Sequence, residues 1–252
     1  MMIKKQILFV SISLIMFLFS AVYAEEKDEQ IEVNNILVVI DCSNNMNKYW
    51  DKVQRIDVVR KSFKQVLKKV SEKPEWGLHF GIRVFGDKSL LKLKDCLDTR
   101  LATPVEWFDP ITLSGVIDGL RPKGKATLSQ AIQNAVNDYP RTYKAPYNFL
   151  VVITSTDDEC GEDVVQAVNF IKNERTAVDA VHFVGIQLSQ ATEEKLKKAA
   201  EVGGGTFANA KTHDDLTNAL LNAINIQSRT SVSAEPTPKP TIVAEPTSTK
   251  TP

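Results

Sequence analysis

Ile36-Leu37-Val38-Val39-Ile40-Asp41-Cys42-Ser43-Asn44-Asn45 reads as a strand that runs straight into a polar loop. A strand that shows one face to water alternates apolar and polar residues, whereas an unbroken aliphatic run is buried on both faces. The run ends on a carboxylate, and short oxygen-bearing side chains follow at Ser43 and Asn45. Hard cations such as Mg²⁺ take oxygen ligands of this kind. In an open α/β sheet the carboxyl ends of the strands are also where ligands bind. This one stretch therefore predicts both a sheet covered on two faces and the edge of it to inspect.

Further runs of the same type follow at Phe80–Phe85, Phe149–Ile153 and Val178–Ile186, with a shorter one at Gly205–Ala208. Between them the apolar residues step by three and four, as on a helix. Ile56, Val59, Phe63, Val66, Leu67 and Val70 form the longest such stripe, with Lys61, Lys64, Lys68 and Lys69 on the outer face. Ser129–Tyr139, Asp163–Arg175 and Glu193–Val202 are further helices, the last capped by Thr192 and broken by Gly203-Gly204-Gly205. A final helix starts at a Thr212 or Asp214 cap and runs through Ile226. Strand and helix in alternation predict an α/β fold, doubly wound, with a mostly parallel central sheet and helices on both faces. Leu90–Pro104 breaks the pattern, since no long helix follows the second strand. An antiparallel edge strand near Arg100–Thr103 accounts for it.

The ends of the chain differ from its middle. Lys4 and Lys5, an apolar stretch from Ile7 to Leu18 and the exit Ala21-Val22-Tyr23-Ala24 have the layout of a secretory signal peptide, 1–24, cleaved after Ala24. An uncleaved membrane anchor is the alternative, because the stretch is nearly long enough to span. An acidic linker, 25–33, comes next. From Ser228 to Pro252 there are no aromatics, and Pro236, Pro238, Pro240, Pro246 and Pro252 stand among Thr and Ser. Such a segment cannot bury enough apolar surface to fold, so 228–252 reads as a disordered tail. The domain is then 34–227.

Composition excludes some functions. The chain has 252 residues, with 31 basic against 31 acidic, which argues against a nucleic-acid binder. Three cysteines are too few for a disulfide-dense mini-domain, and spacing alone leaves all three pairings of Cys42, Cys96 and Cys160 open. His79, His182 and His213 share no metal-ligand spacing. There is no nucleophile elbow, phosphate loop or zinc-protease helix. Trp50 lies just beyond the polar loop and is a candidate partner anchor if exposed; Trp76 and Trp107 cannot be placed.

Taken together, these segments resemble the von Willebrand factor type A (VWA) domain of bacterial secreted proteins. Asp41-Cys42-Ser43-Asn44-Asn45 is similar to the family's Asp-x-Ser-x-Ser metal motif. Ile82–Gly86, Cys96–Leu101, Leu120–Lys125, Glu159-Cys160-Gly161 and Gly203–Phe207 match at further positions. The resemblance implies a metal-ion-dependent adhesion site built from three loops. It also implies a Cys96–Cys160 disulfide, leaving Cys42 a free thiol.

All three loops depart from the family pattern. Asn45 stands for the second Ser, Ala126 for the Thr of the second loop, and Ser155 for the Asp of the third. A weakened Mg²⁺ or Mn²⁺ site would use Asp41, Ser43 and Asn45, with Thr127 and Asp157 recruited by shifted loops. One carboxylate where the family has two favours a scaffold that has lost its site. The function this implies is non-enzymatic binding of an extracellular protein through Asp41–Tyr49, Lys123–Thr127 and Thr156–Cys160. No nucleic acid and no stable membrane insertion after cleavage are expected. A structural scaffold and a secreted α/β hydrolase are the rival readings.

Overall fold

The aliphatic run that ends on Asp41 divides its side chains between two cores. Ile36, Val38 and Ile40 pack into one, Leu37 and Val39 into the other, and all five are fully buried. The computed structural model describes residues 33–73, 77–140, 147–174 and 178–229. The expected signal peptide, most of the acidic linker, Trp76 and the Thr/Pro tail from residue 230 lie outside the described residues.

In chain order, β1 (Asn34–Asp41) leads through a 3₁₀ turn to a small ribbon, β2 (Tyr49–Trp50) and β3 (Val53–Gln54), and then to α1 (Arg55–Ser71). Next come β4 (Leu78–Phe85), β5 (Thr99–Trp107), α2 (Pro110–Gly119), α3 (Leu128–Ala135) and β6 (Asn148–Thr154). Then follow α4 (Val164–Asn169), which continues as a π-helical turn over Phe170–Glu174, β7 (Ala180–Ile186), α5 (Gln190–Val202), β8 (Phe207–Ala210) and α6 (His213–Arg229). The main sheet has the order β5-β4-β1-β6-β7-β8 and is parallel except for β5, which runs antiparallel to β4 at the edge. α1, α2 and α6 cover one face, and α3, α4 and α5 the other. The fold is the α/β, doubly wound arrangement that the sequence predicts.

The order of strands positions the site. From β1 the chain moves outward to β4 and β5, then returns to β6 on the other side of β1. The crevice between β1 and β6 is thus the topological switch point, where an open α/β sheet offers a binding site. Asp41 ends β1 and Ser155 follows β6.

Several local readings need correction. α2 falls where the sequence reading placed no helix. It buries only Leu113 and Ile117, which is too little to show a period, but Asp109 caps it and Pro110 opens it. That cap and proline are a start signal in their own right. The cap of α5 is Ser189, whose hydroxyl accepts the Thr192 N–H, so Thr192 lies inside the helix rather than before it. The α3 helix stops at Ala135, and Tyr139 beyond it turns back so that its buried hydroxyl donates to the Phe149 carbonyl at 3.0 Å. Trp50 is not exposed. It is buried edge-on against His213, with ring centroids 4.9 Å apart.

Candidate functional site

The site begins with the buried carboxylate of Asp41. Its Oδ1 accepts the Ser43 N–H at 2.7 Å. Its Oδ2 accepts both the Ser155 N–H at 2.9 Å and the Ser155 hydroxyl at 2.7 Å. Three donors from two loops therefore converge on one carboxylate. The loop is fixed from its other side as well. Ser43 bridges Gly124 in parallel, and the Asn44 N–H donates to the Gly124 carbonyl at 2.8 Å. Cys42, between them, is a free and buried thiol. Burial, and next the nearby Asp41 carboxylate, push its pKa well above the ordinary thiol value. It stays a neutral thiol that packs as a small apolar side chain.

Of the five residues that the sequence places around a cation, Asp41 and Ser43 meet and three turn elsewhere. The Asn45 oxygen accepts the Lys48 ammonium at 2.6 Å, and its amide nitrogen donates to Glu159 at 2.8 Å. The Thr127 hydroxyl is buried and donates to the Asp98 carbonyl at 3.0 Å. Asp157 pairs with Lys195 on α5 at 2.7 Å. The next carboxylate, Asp158, accepts the Ser129 N–H at the start of α3 and the Cys160 N–H.

Glu159, which the sequence places in a motif and in the Thr156–Cys160 contact segment but gives no role of its own, joins three loops. Its Oε1 accepts from Asn45 and its Oε2 from the Ala126 N–H at 2.7 Å, while its own N–H donates to the Ala126 carbonyl at 2.8 Å. One glutamate thereby ties the loop after β6 to the loops after β1 and before α3. The Cys96–Cys160 disulfide, formed as the family resemblance implies, ties the same loop to the one between β4 and β5.

As arranged, these residues do not fit a hard divalent ion. Mg²⁺ needs near-octahedral oxygen ligands and charge to offset the loss of its water. Here one carboxylate faces the crevice, and hydrogen-bond donors already occupy it. The Ser43 hydroxyl oxygen is buried without a hydrogen-bond partner. Among the described residues no group of three or more His, Cys, Asp or Glu could hold a metal.

The three histidines are engaged away from this crevice. His79 sits against Asn35 and the Trp107 ring, His182 against Thr206, and His213 against Trp50. Burial lowers the pKa of His79, and that of His182 to about 4.

Sheet order, the antiparallel edge strand and the loop architecture at the β1–β6 crevice define the fold of a VWA domain. No protein-family model matches the chain. A curated relative, YwmD of Bacillus subtilis, is 23% identical over 202 residues, which is 78% of this chain and 86% of that protein. Among solved structures, the pilus adhesin SpaC from Lactobacillus rhamnosus GG superposes with a TM-score of 0.61 at 12% identity. That match covers 79% of this chain and 30% of SpaC. The vWF domain of the pili tip protein Mfa5 from Porphyromonas gingivalis gives a TM-score of 0.58 at 13% identity, over 78% of this chain and 96% of that domain. The chain thus spans under a third of SpaC and nearly all of the Mfa5 domain.

Proposed function

We propose that this chain is a secreted binding module that engages an extracellular protein through the loops at the carboxyl ends of its strands, with at most weak dependence on a divalent cation. The observation that carries this reading is the Asp41 carboxylate, which accepts three hydrogen bonds from Ser43 and Ser155. In a cation-dependent site that charge would face the ion; here it organises the loops. The contact surface is Asp41–Tyr49, Lys123–Thr127 and Thr156–Cys160. Within it Tyr49, 69% exposed, takes the anchoring role for which Trp50 is too buried. Tyrosine suits that role because it offers apolar area and a hydroxyl at low entropic cost.

Similarity in fold to a pilus adhesin and a pilus tip domain supports adhesion or interaction over catalysis. The histidines committed elsewhere weaken the hydrolase reading. The disulfide supports a site of action outside the reducing cytoplasm, as does the signal-peptide layout of the sequence over residues 1–24. N-terminal sequencing of exported protein is expected to begin at Glu25.

Calorimetry with Mn²⁺ on the mature chain is expected to show no tight binding. Retrieval of a partner from the native extracellular fraction is expected to be equal in EDTA and in Mg²⁺, and reduced by Tyr49→Ala. Micromolar Mn²⁺ binding, or retrieval abolished by EDTA, would overturn the reading.

A further inference from the structure

The loop between β4 and β5 carries a surface that the Asp41 crevice does not use. Leu90, Leu93 and Leu97 are 49%, 63% and 74% exposed. Lys88, Lys92 and Lys94 stand exposed among them, and among the described residues none of the three is in an ion pair. The carboxylates of the same segment are turned inward or held locally. Asp87 is buried and pairs with Arg100. Asp98 is buried and accepts the Lys88 and Ser89 N–H groups at 3.1 and 2.8 Å. Asp95 accepts the Ser89 hydroxyl at 2.6 Å and the Leu97 N–H at 2.9 Å. What the loop shows outward is therefore three ammonium groups and three leucines, with one half-exposed carboxylate, Asp95, held by Ser89 and Leu97.

The loop is also braced. Cys96 is bonded to Cys160, and the Gly86 N–H donates to the Asp98 carbonyl at 2.9 Å. The Gly86 carbonyl in turn accepts the N–H groups of Lys123 and Gly124. That contact brings the exposed Lys123 and the half-exposed Lys125 to the flank of the loop.

Contiguous exposed apolar groups mark a contact with a protein or a membrane. The composition here decides between them. Protein interfaces concentrate their energy in Trp, Tyr and Arg and are depleted in Lys. A lipid surface suits this loop better. Leucines at a loop tip can enter the boundary between headgroups and chains, while lysine stems lie along that boundary and hold their ammonium groups at the phosphates. We propose that the Lys88–Asp98 loop is a peripheral docking site for an anionic lipid bilayer. This goes beyond the protein-binding reading and does not depend on it. Trp50 on the ribbon beside Tyr49 meets His213, and Arg55 reaches Gln187, whereas Lys123 and Cys160 of the proposed protein-contact surface adjoin this loop.

Each lysine close to an anionic surface changes partitioning by roughly fivefold, so three act together by roughly a hundredfold. The test uses the chain from Glu25, so that the apolar leader does not itself bind lipid. It is sedimented with vesicles of phosphatidylcholine alone or mixed with phosphatidylglycerol. Binding is expected to the mixed vesicles only, and to weaken with salt. Replacing Leu90, Leu93 and Leu97 by Ser, or Lys88, Lys92 and Lys94 by Gln, is expected to lower it at least tenfold without moving the melting temperature. Lys61→Gln, Lys64→Gln and Lys68→Gln on the outer face of α1 are expected to leave it unchanged. No binding to mixed vesicles, binding insensitive to both loop variants, or equal loss from the α1 variant would overturn the proposal. So would loop variants that lose a protein partner while wild type ignores vesicles.

Discussion

At the scale of single residues, the decisive exchange is Ser155 where a second carboxylate would complete a cation site. Its hydroxyl lies 2.7 Å from Asp41 Oδ2 and it is 7% exposed. Ser155→Asp would set two carboxylates against each other in a buried crevice, where one must take up a proton or find a cation. The expected cost without metal is about 3 kcal/mol, the equivalent of a two-unit pKa shift. Thermal melts should show the variant lowered in EDTA and partly restored by Mg²⁺, with wild type indifferent to both. A variant that melts alike in EDTA and Mg²⁺ would mean that position 155 does not face Asp41.

A second residue makes stability depend on pH. His182 is buried in β7, and its Nδ1 accepts the Thr206 N–H at 3.1 Å, so folding favours the neutral ring. Burial lowers its pKa from 6.5 to about 4. Below pH 6.5 the unfolded chain binds a proton that the folded one refuses, so stability falls as pH drops from 6.5 toward 4. The expected loss at this residue is about 2 kcal/mol between pH 7 and pH 5. His79, lowered for the same reason, adds in the same direction. Urea titrations of wild type and His182→Gln at the two pH values would measure it; the variant should lose less.

At the scale of elements, the loops around the crevice cross at one point. Gly86, after β4, has φ +73°, and a Cβ there would lie 2.7 Å from the Lys125 carbonyl oxygen and 2.8 Å from the Ser43 Cα. Gly161 has a similar φ of +85°, but a Cβ there would meet nothing within 4 Å. The pair separates backbone strain from close approach. Gly161→Ala should cost about 1 kcal/mol, the strain alone. Gly86→Ala should cost at least about 2–3 kcal/mol, because two backbones must also move. Denaturant titration of both variants checks the difference.

The elements also show what a sequence can and cannot reveal. β1 and β6 were legible because burial on both faces leaves no polar residue in the run. α1 was legible because its eight buried positions keep a helical step. α2 was not, since it fully buries just two side chains, although its Asp-Pro start was there to be read. The Asp41–Ser43 turn was visible in the motif. The turn of Asn45, Thr127 and Asp157 away from Asp41 depends on Lys48, Asp98 and Lys195, partners that no local pattern announces. Trp50 fails for the same reason: its burial needs His213, which arrives only with the last helix.

At the scale of the whole molecule, one covalent bond spans the return path of the chain. Cys96 and Cys160 are 64 residues apart, and β5, α2, α3 and β6 all lie between them. Within the folded protein the bond adds little that hydrogen bonds do not already hold: Thr127 reaches Asp98, and Glu159 reaches Asn45 and Ala126. Its larger effect is on the unfolded chain, which it keeps from expanding. Closing a loop of this length is worth about 4 kcal/mol by chain entropy. Cys96→Ser/Cys160→Ser should therefore lose stability of that order while keeping its native circular dichroism. Its urea m-value should rise, because the unfolded chain exposes more surface once the loop is open. An unchanged m-value with a full loss of stability would instead place the effect in the folded loops, and the bond would then be a brace of the binding face rather than a restraint on the unfolded chain.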